Sequence, residues 1–240
     1  MEKLQAELDQ LISKLDHAED VKDRIETLIS VYPFNEYEYV ISTLLGADVL
    51  TLDDYYLLRD EYIARNMFLF IFEISAPRGF GEQWAQGHLK ELVPDLIKPS
   101  KKLDTEYSGQ YDFLLDANIR IEVKASRAVA FKTDEPLYVK ALSTDSEKQF
   151  DMNFQQIKPA CCDVFVWIGV WRDVIRYWVL SSREVEQNRY YSAGQHRGNV
   201  GEGQLHVKRE NIAEFESYES RSNNLLAAIK EAYLRQTSPP

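Results

Sequence analysis

Between Gly109 and Ser126 the chain reads Gly-Gln-Tyr-Asp-Phe-Leu-Leu-Asp-Ala-Asn-Ile-Arg-Ile-Glu-Val-Lys-Ala-Ser, and this stretch limits the fold more than any other. Successive side chains of a strand point to opposite faces. Ile119, Ile121 and Val123 therefore form one apolar face, and Arg120, Glu122 and Lys124 form a charged one. Asp116-Ala117-Asn118 has residue types that suit a tight turn, so the spacing predicts a hairpin. With a three-residue turn, Leu115 pairs with Ile119 and the register sets Asp112 across from Glu122. Directly opposed residues have Cβ atoms roughly 5 Å apart. Two carboxylates at that distance repel unless a proton or a cation lies between them. The hairpin thus asks for a divalent ion gripped by Asp112 and Glu122, or for a proton shared between them.

The pattern (Asp/Glu)-x-Lys occurs twice, at Asp20-Val21-Lys22 and at Glu122-Val123-Lys124. The first lies in a polar helical run with no partner acid on a strand; only the second has an upstream Asp at hairpin distance. An Asp followed ten residues later by Glu-x-Lys, on a strand whose reverse face is apolar, resembles the PD-(D/E)XK nuclease superfamily, which includes the restriction endonucleases. The similarity covers about residues 81–180, and the Pro that usually precedes the first acid is replaced by Tyr111.

The resemblance implies a central mixed β-sheet flanked by helices. It also implies Mg²⁺ held by Asp112, Glu122 and the Val123 carbonyl, with Lys124 beside them as a catalytic group. A Gly-then-Glu start to the preceding helix is a further likeness, and it makes Glu82 an additional acid near the site. A Gln on the helix after the hairpin recurs in such enzymes, which carries Gln155 over as a DNA contact. The function so implied is Mg-dependent, sequence-specific cleavage of double-stranded DNA by a homodimer of restriction type. The competing readings are a repair or structure-specific nuclease of the same fold, and a DNA-binding protein without catalysis.

Composition bounds these readings. The 240 residues fit one large domain or a core with an attachment, and 45% hydrophobic residues are enough for a sizeable core. No apolar run approaches the length of a membrane span. The N-terminus is acidic and amphipathic, unlike a secretory signal. Cys161 and Cys162 are adjacent, where a bridge would be strained, and reduced thiols fit a cytoplasmic protein. A net charge of −11 looks hostile to nucleic acid. Yet residues 1–75 hold sixteen acidic against six basic side chains, and the remainder is nearly balanced at 23 against 22. A balanced surface binds DNA through local patches.

Along the chain, helical spacing of Leu4, Leu8, Leu11, Ile12 and Leu15, then of Val21, Ile25, Leu28 and Ile29, predicts two helices over 3–32, the second ended by Pro33. Further helices are expected over 36–45 and 52–63, with Thr51 as N-cap. Residues 1–75 are read as a helical subdomain and 76–240 as the nuclease core. Residues 75–81 form a turn-rich linker, and 82–93 a helix stopped by Pro94 that carries a packing histidine, His88. Lys98, Lys101 and Lys102 precede the hairpin, and Arg127 follows it, as candidate phosphate contacts.

A helix over 143–158 is expected from Phe150, Phe154 and Ile157. Strands follow at 164–170, apolar throughout, and 174–180. The glycine-rich stretch 190–209 reads as a loop, with Gln195, His196, Arg197 and Asn199 as base or phosphate contacts. Residues 222–234 close the chain as an amphipathic helix.

Overall fold

The computed structural model describes residues 2–26, 33–131, 134–194 and 202–238. Four helices come first: α1 (Glu2–Ile12), α2 (Ala18–Glu26), α3 (Pro33–Gly46) and α4 (Leu52–Ala64). They enclose a core of their own that includes Leu4, Leu8, Ile12, Val21, Ile41, Leu44 and Tyr62. Pro33 is the first residue of α3, a position where its missing N–H costs nothing. Thr51 caps α4 in a capping box: its hydroxyl accepts from the Asp54 N–H, and Asp54 accepts from the Thr51 N–H. Arg65 pairs with Asp145 at 2.6 Å and Glu2 accepts from the Ser146 hydroxyl at 2.9 Å, so this unit is stitched to the rest of the chain by polar contacts.

A π-helical turn, Gly79–Ala85, runs directly into α5 (Gln86–Leu92). The helix therefore starts within the stretch expected to be linker. Eight strands follow: β1 (Phe113–Leu115), β2 (Ile119–Arg127), β3 (Asp151–Ile157), β4 (Val164–Val170), β5 (Ile175–Ser181), β6 (Tyr191–Ala193), β7 (Gly203–Lys208) and β8 (Glu219–Ser220). A short helix, α6 (Ser182–Glu186), follows β5, and α7 (Leu225–Thr237) closes the chain.

The strands make two sheets. The larger has the order β1-β2-β4-β5-β8, with β2 and β4 parallel and the other pairs antiparallel. The smaller is antiparallel, in the order β3-β7-β6. The chain is thus a mixed α/β protein.

Alternation along the strands sends the two faces of the large sheet into different layers. Phe113, Ile121, Val123, Val166, Ile168 and Val179 pack against α5 and α7 through Leu89, Leu225, Ile229 and Ala232. Leu114, Phe165, Trp167, Trp178 and Leu180 pack against the small sheet through Met152, Phe154, Leu205 and Val207. Every residue of β4 is buried, as a strand covered on both faces requires. Its Gly169 leaves room for the Trp178 ring: a Cβ there would lie 2.6 Å from that ring.

Two expectations are overturned. Residues 143–158 form turns and then β3, not a helix. Phe150, Phe154 and Ile157 mimic helical spacing because a β-bulge between Phe154 and Ile157 adds one residue to the strand. Without that step the buried positions Met152 and Phe154 show the two-residue period of a strand. The crossover between parallel β2 and β4 therefore runs through β3, where a helix is the usual connection. The stretch expected as a loop over 190–209 contains β6 and β7, in which Leu205 and Val207 alternate with Gln204, His206 and Lys208. Cys161 and Cys162 are unbridged. Among the described residues no helix is long and apolar enough to cross a membrane.

Candidate active site at the end of the hairpin

The hairpin register is the one the turn predicts. Phe113 pairs with Ile121, Leu114 with Arg120 and Leu115 with Ile119; Asp112 lies just past the last pair, its N–H donating to the Ile121 carbonyl at 2.9 Å, and its carboxyl reaches that of Glu122. Asp116 and Ala117 turn the chain at φ 53° and 62°. These are left-handed values, which Asp tolerates better than Ala.

Of the three charged residues on the polar face of β2, Arg120 is spent on the fold. Its guanidinium grips Asp163 at 2.8 and 3.0 Å, and its backbone N–H donates to the same carboxylate. The other two meet the hairpin acid. Lys124 Nζ lies 2.7 Å from Glu122 Oε1, with both side chains about one-sixth exposed. Asp112 accepts from the Val123 N–H at 2.8 Å and from Gln86 Nε2 at 2.5 Å. The N–H and C=O of a strand residue face the same edge in such a pairing, so the Val123 carbonyl opens toward the Asp112 carboxylate.

Burial dominates the electrostatics of the pair. It pushes the Glu122 carboxyl up to about 7, with Lys124 opposing the shift and Asp112 adding to it. Burial likewise raises Asp112, against the Val123 N–H, Lys124 and Lys98, which favour its charged form. Both acids therefore hold a proton more readily than a free carboxyl does.

These groups line a cavity of about 670 Å³. Its walls come from the π-turn and α5 (Arg78, Phe80, Glu82, Gln86), from β2 (Glu122–Arg127) and from β3 with the residue after it (Asn153, Gln155, Gln156, Lys158). The site sits where β1 stops at Phe113 while β2 continues to Arg127, so one edge of β2 is uncovered there.

The structure brings some expected residues together and places others elsewhere. Asp112, Glu122, Val123 and Lys124 converge. Glu82 lines the cavity but is largely exposed, with Arg78 3.8 Å away. Gln155 lines it from β3. Arg127 also lines it, but its guanidinium donates to the Ile71 and Ile74 carbonyls and lies 4.0 Å over the Phe80 ring. Burial lowers the Arg127 pKa to about 10, so it stays charged at neutral pH. Lys101 and Lys102 occupy an exposed turn and are not among the cavity-lining residues. Gln195, His196, Arg197 and Asn199 lie outside the described residues. His88 packs in a stack of Phe80, Trp84, His88 and Tyr177, with its Nε2 2.6 Å from the Tyr177 hydroxyl.

Sequence reasoning missed Gln86, the side chain that holds Asp112. Lys98 in turn donates to Gln86 Oε1 and lies 4.2 Å over the Phe113 ring, fixing which way the amide faces. The signal was present, since Gln86 is four residues past Glu82 and so on the same helical face.

The donor set fits a hard divalent cation. Two carboxylates and a main-chain carbonyl are oxygen ligands, and Mg²⁺ retains several waters, so it needs few protein ligands. Among the described residues there is no group of three or more His, Cys, Asp or Glu placed to hold a metal, so any ion here rests on this pair and the carbonyl. No protein-family model matches the chain, and a search of curated proteins returns no match.

Proposed function

We propose that this chain is a Mg-dependent endonuclease that cuts double-stranded DNA at specific sequences, with a core of the restriction-endonuclease kind. The observation that carries the reading is the pair of half-buried, touching carboxyl groups of Asp112 and Glu122 with Lys124 on the second, at the wall of a polar cavity. A structural role explains the arrangement poorly. Withdrawing two like charges from water is costly unless opposite charge joins them, and the pair, with only the Lys124 and Lys98 ammonium groups set against it, holds both carboxyls above their ordinary range.

In this reading Asp112, Glu122 and the Val123 carbonyl hold the cation. When bound, Mg²⁺ neutralises charge on the scissile phosphate and makes a nearby water more acidic. The protein does the rest. Lys124, fixed by Glu122, orients the attacking water and offsets the negative charge that develops at phosphorus. Gln86 keeps Asp112 aimed at Glu122. Attack forms a bond from the water oxygen to phosphorus, the water's proton passing to solvent, and breaks the bond from phosphorus to the leaving deoxyribose oxygen, which departs with a proton from solvent. One cavity holds one acid pair, so cutting both strands calls for two copies of the chain, and the reading includes a homodimer acting on duplex DNA.

Digestion of mixed-sequence DNA with Mg²⁺ tests this. Discrete fragments are expected; a smear or nicks would indicate a repair or structure-specific nuclease, and intact DNA a non-catalytic binder. Glu122→Ala should abolish cleavage and keep DNA binding, and normal cutting by that variant would remove the site assignment.

A further inference from the structure

The small sheet turns its apolar side inward and a polar side outward. Met152, Phe154, Ile157, Leu205 and Val207 are buried against the large sheet, whereas Asn153, Gln155, Gln204 and His206 lie on the other side. Its charges are largely cancelled within the chain. Lys158 sits 2.8 Å from Glu202, and His206 and Lys208 both approach Asp151, at 2.6 and 3.9 Å. What this face offers a partner is therefore amide groups rather than net charge. Asn153 Nδ2 donates to Gln204 Oε1 at 3.2 Å, which fixes one amide of the row.

The end of the row nearest the acids is irregular. Phe154 pairs with Leu205 and Ile157 with Gly203, so Gln155 and Gln156 together stand opposite Gln204. Gln156 adopts φ 55°, a left-handed conformation that residues with a Cβ take only at an energetic cost. Bulges next to active sites re-aim side chains, and retained backbone strain is a reason to look for a function. Gln155 and Gln156 both line the cavity that holds Asp112 and Glu122.

From this juxtaposition we infer that the β3–β7 ribbon enters the DNA major groove beside the scissile phosphate, and that Gln155 and Gln156 are specificity-determining residues that read an adenine edge. The inference rests on the nuclease reading for its placement beside the cleaved bond. The major groove is roughly 12 Å wide and admits a two-stranded ribbon, whose strands lie about 4.8 Å apart. A primary amide offers a donor and an acceptor side by side, the complement of adenine N6 and N7. A face without net charge gains little from phosphates and so depends on such hydrogen bonds.

The test is selection from randomised duplex DNA on the Glu122→Gln chain in EDTA, repeated with Gln155→Ala or Gln156→Gly added. The parent is expected to yield a consensus containing an A·T pair, which either added substitution makes degenerate. Affinity for the parent's site should drop about tenfold, the scale of one lost bidentate contact, while affinity for unselected duplex stays within twofold. Gln156→Gly should also raise the melting temperature, because it relieves the left-handed strain and so separates lost reading from lost folding. An unchanged consensus, degeneracy at a G·C pair, no consensus at all, or equal capture of duplex RNA of the same sequence would each overturn the inference. Duplex RNA is excluded because its major groove is too deep and narrow for side chains to read. The two proposals fail separately. A consensus lost on Gln155→Ala, in a protein whose wild type leaves that duplex uncut in Mg²⁺, would remove the nuclease reading alone. Unaltered cutting specificity in both glutamine variants would remove base reading alone.

Discussion

Glu122 should be a residue at which the protein gives up stability to keep its site, and Glu122→Gln measures how much. Burial raises the Glu122 carboxyl from its ordinary 4.5 to about 7. A raised carboxyl pKa means that the fold prefers the protonated form. The stabilising proton is fully bound below the unfolded-state value and is lost as pH rises through about 7. At about 1.4 kcal/mol per pH unit the cost at pH 8 is at most ~3 kcal/mol. Gln keeps the shape and carries no charge, but it removes the carboxylate that pairs with Lys124, which returns part of the gain. The net expectation is about 2 kcal/mol of added stability at pH 8 without metal, or a melting temperature higher by about 4–8 °C. The advantage should fade as pH is lowered toward 5. Saturating Mg²⁺ should also erase it by stabilising the wild type alone. Thermal unfolding of both proteins in EDTA from pH 5 to 9, then in Mg²⁺, reads every term. A Gln variant no more stable than wild type at pH 8, or a gap that does not change with pH, would refute the electrostatic reasoning.

Three further outcomes are expected. Mg²⁺ binding displaces the Glu122 proton, so its dissociation constant should rise roughly tenfold for each pH unit below 7 and stay level above it; calorimetric titrations at pH 6 and 8 that agree would contradict this. Gln86→Leu leaves Asp112 without its 2.5 Å donor and should slow single-turnover cleavage about tenfold while DNA affinity in EDTA stays unchanged; unaltered cleavage would show that the amide does not position the acid. Gly169→Ala places a Cβ 2.6 Å from the Trp178 ring inside a fully buried strand, and overpacking of that kind costs about 1–3 kcal/mol; an unshifted melting temperature would mean that the ring moves aside freely.

Much of this protein is local and could be read along the chain. The hairpin is the plainest case: turn residues at 116–118 set the register from Leu115–Ile119 to Phe113–Ile121, and that brings Asp112 to the strand that carries Glu122. A continuous apolar run identified β4 as a doubly covered strand, and Thr51 ahead of the helical run marked the cap of α4. Only the tertiary structure decided the rest. Helical and strand periods become indistinguishable once a bulge adds a residue, so Phe150, Phe154 and Ile157 gave no warning that 151–157 pairs with β7. Arg127 carries no local mark of its partners, the Ile71 and Ile74 carbonyls, and the helical face that Gln86 shares with Glu82 does not say that Asp112 is what it holds. Periodicity reports which way a side chain points, and that is fixed by its neighbours in sequence. What it meets there depends on how distant segments pack, and no local pattern encodes that.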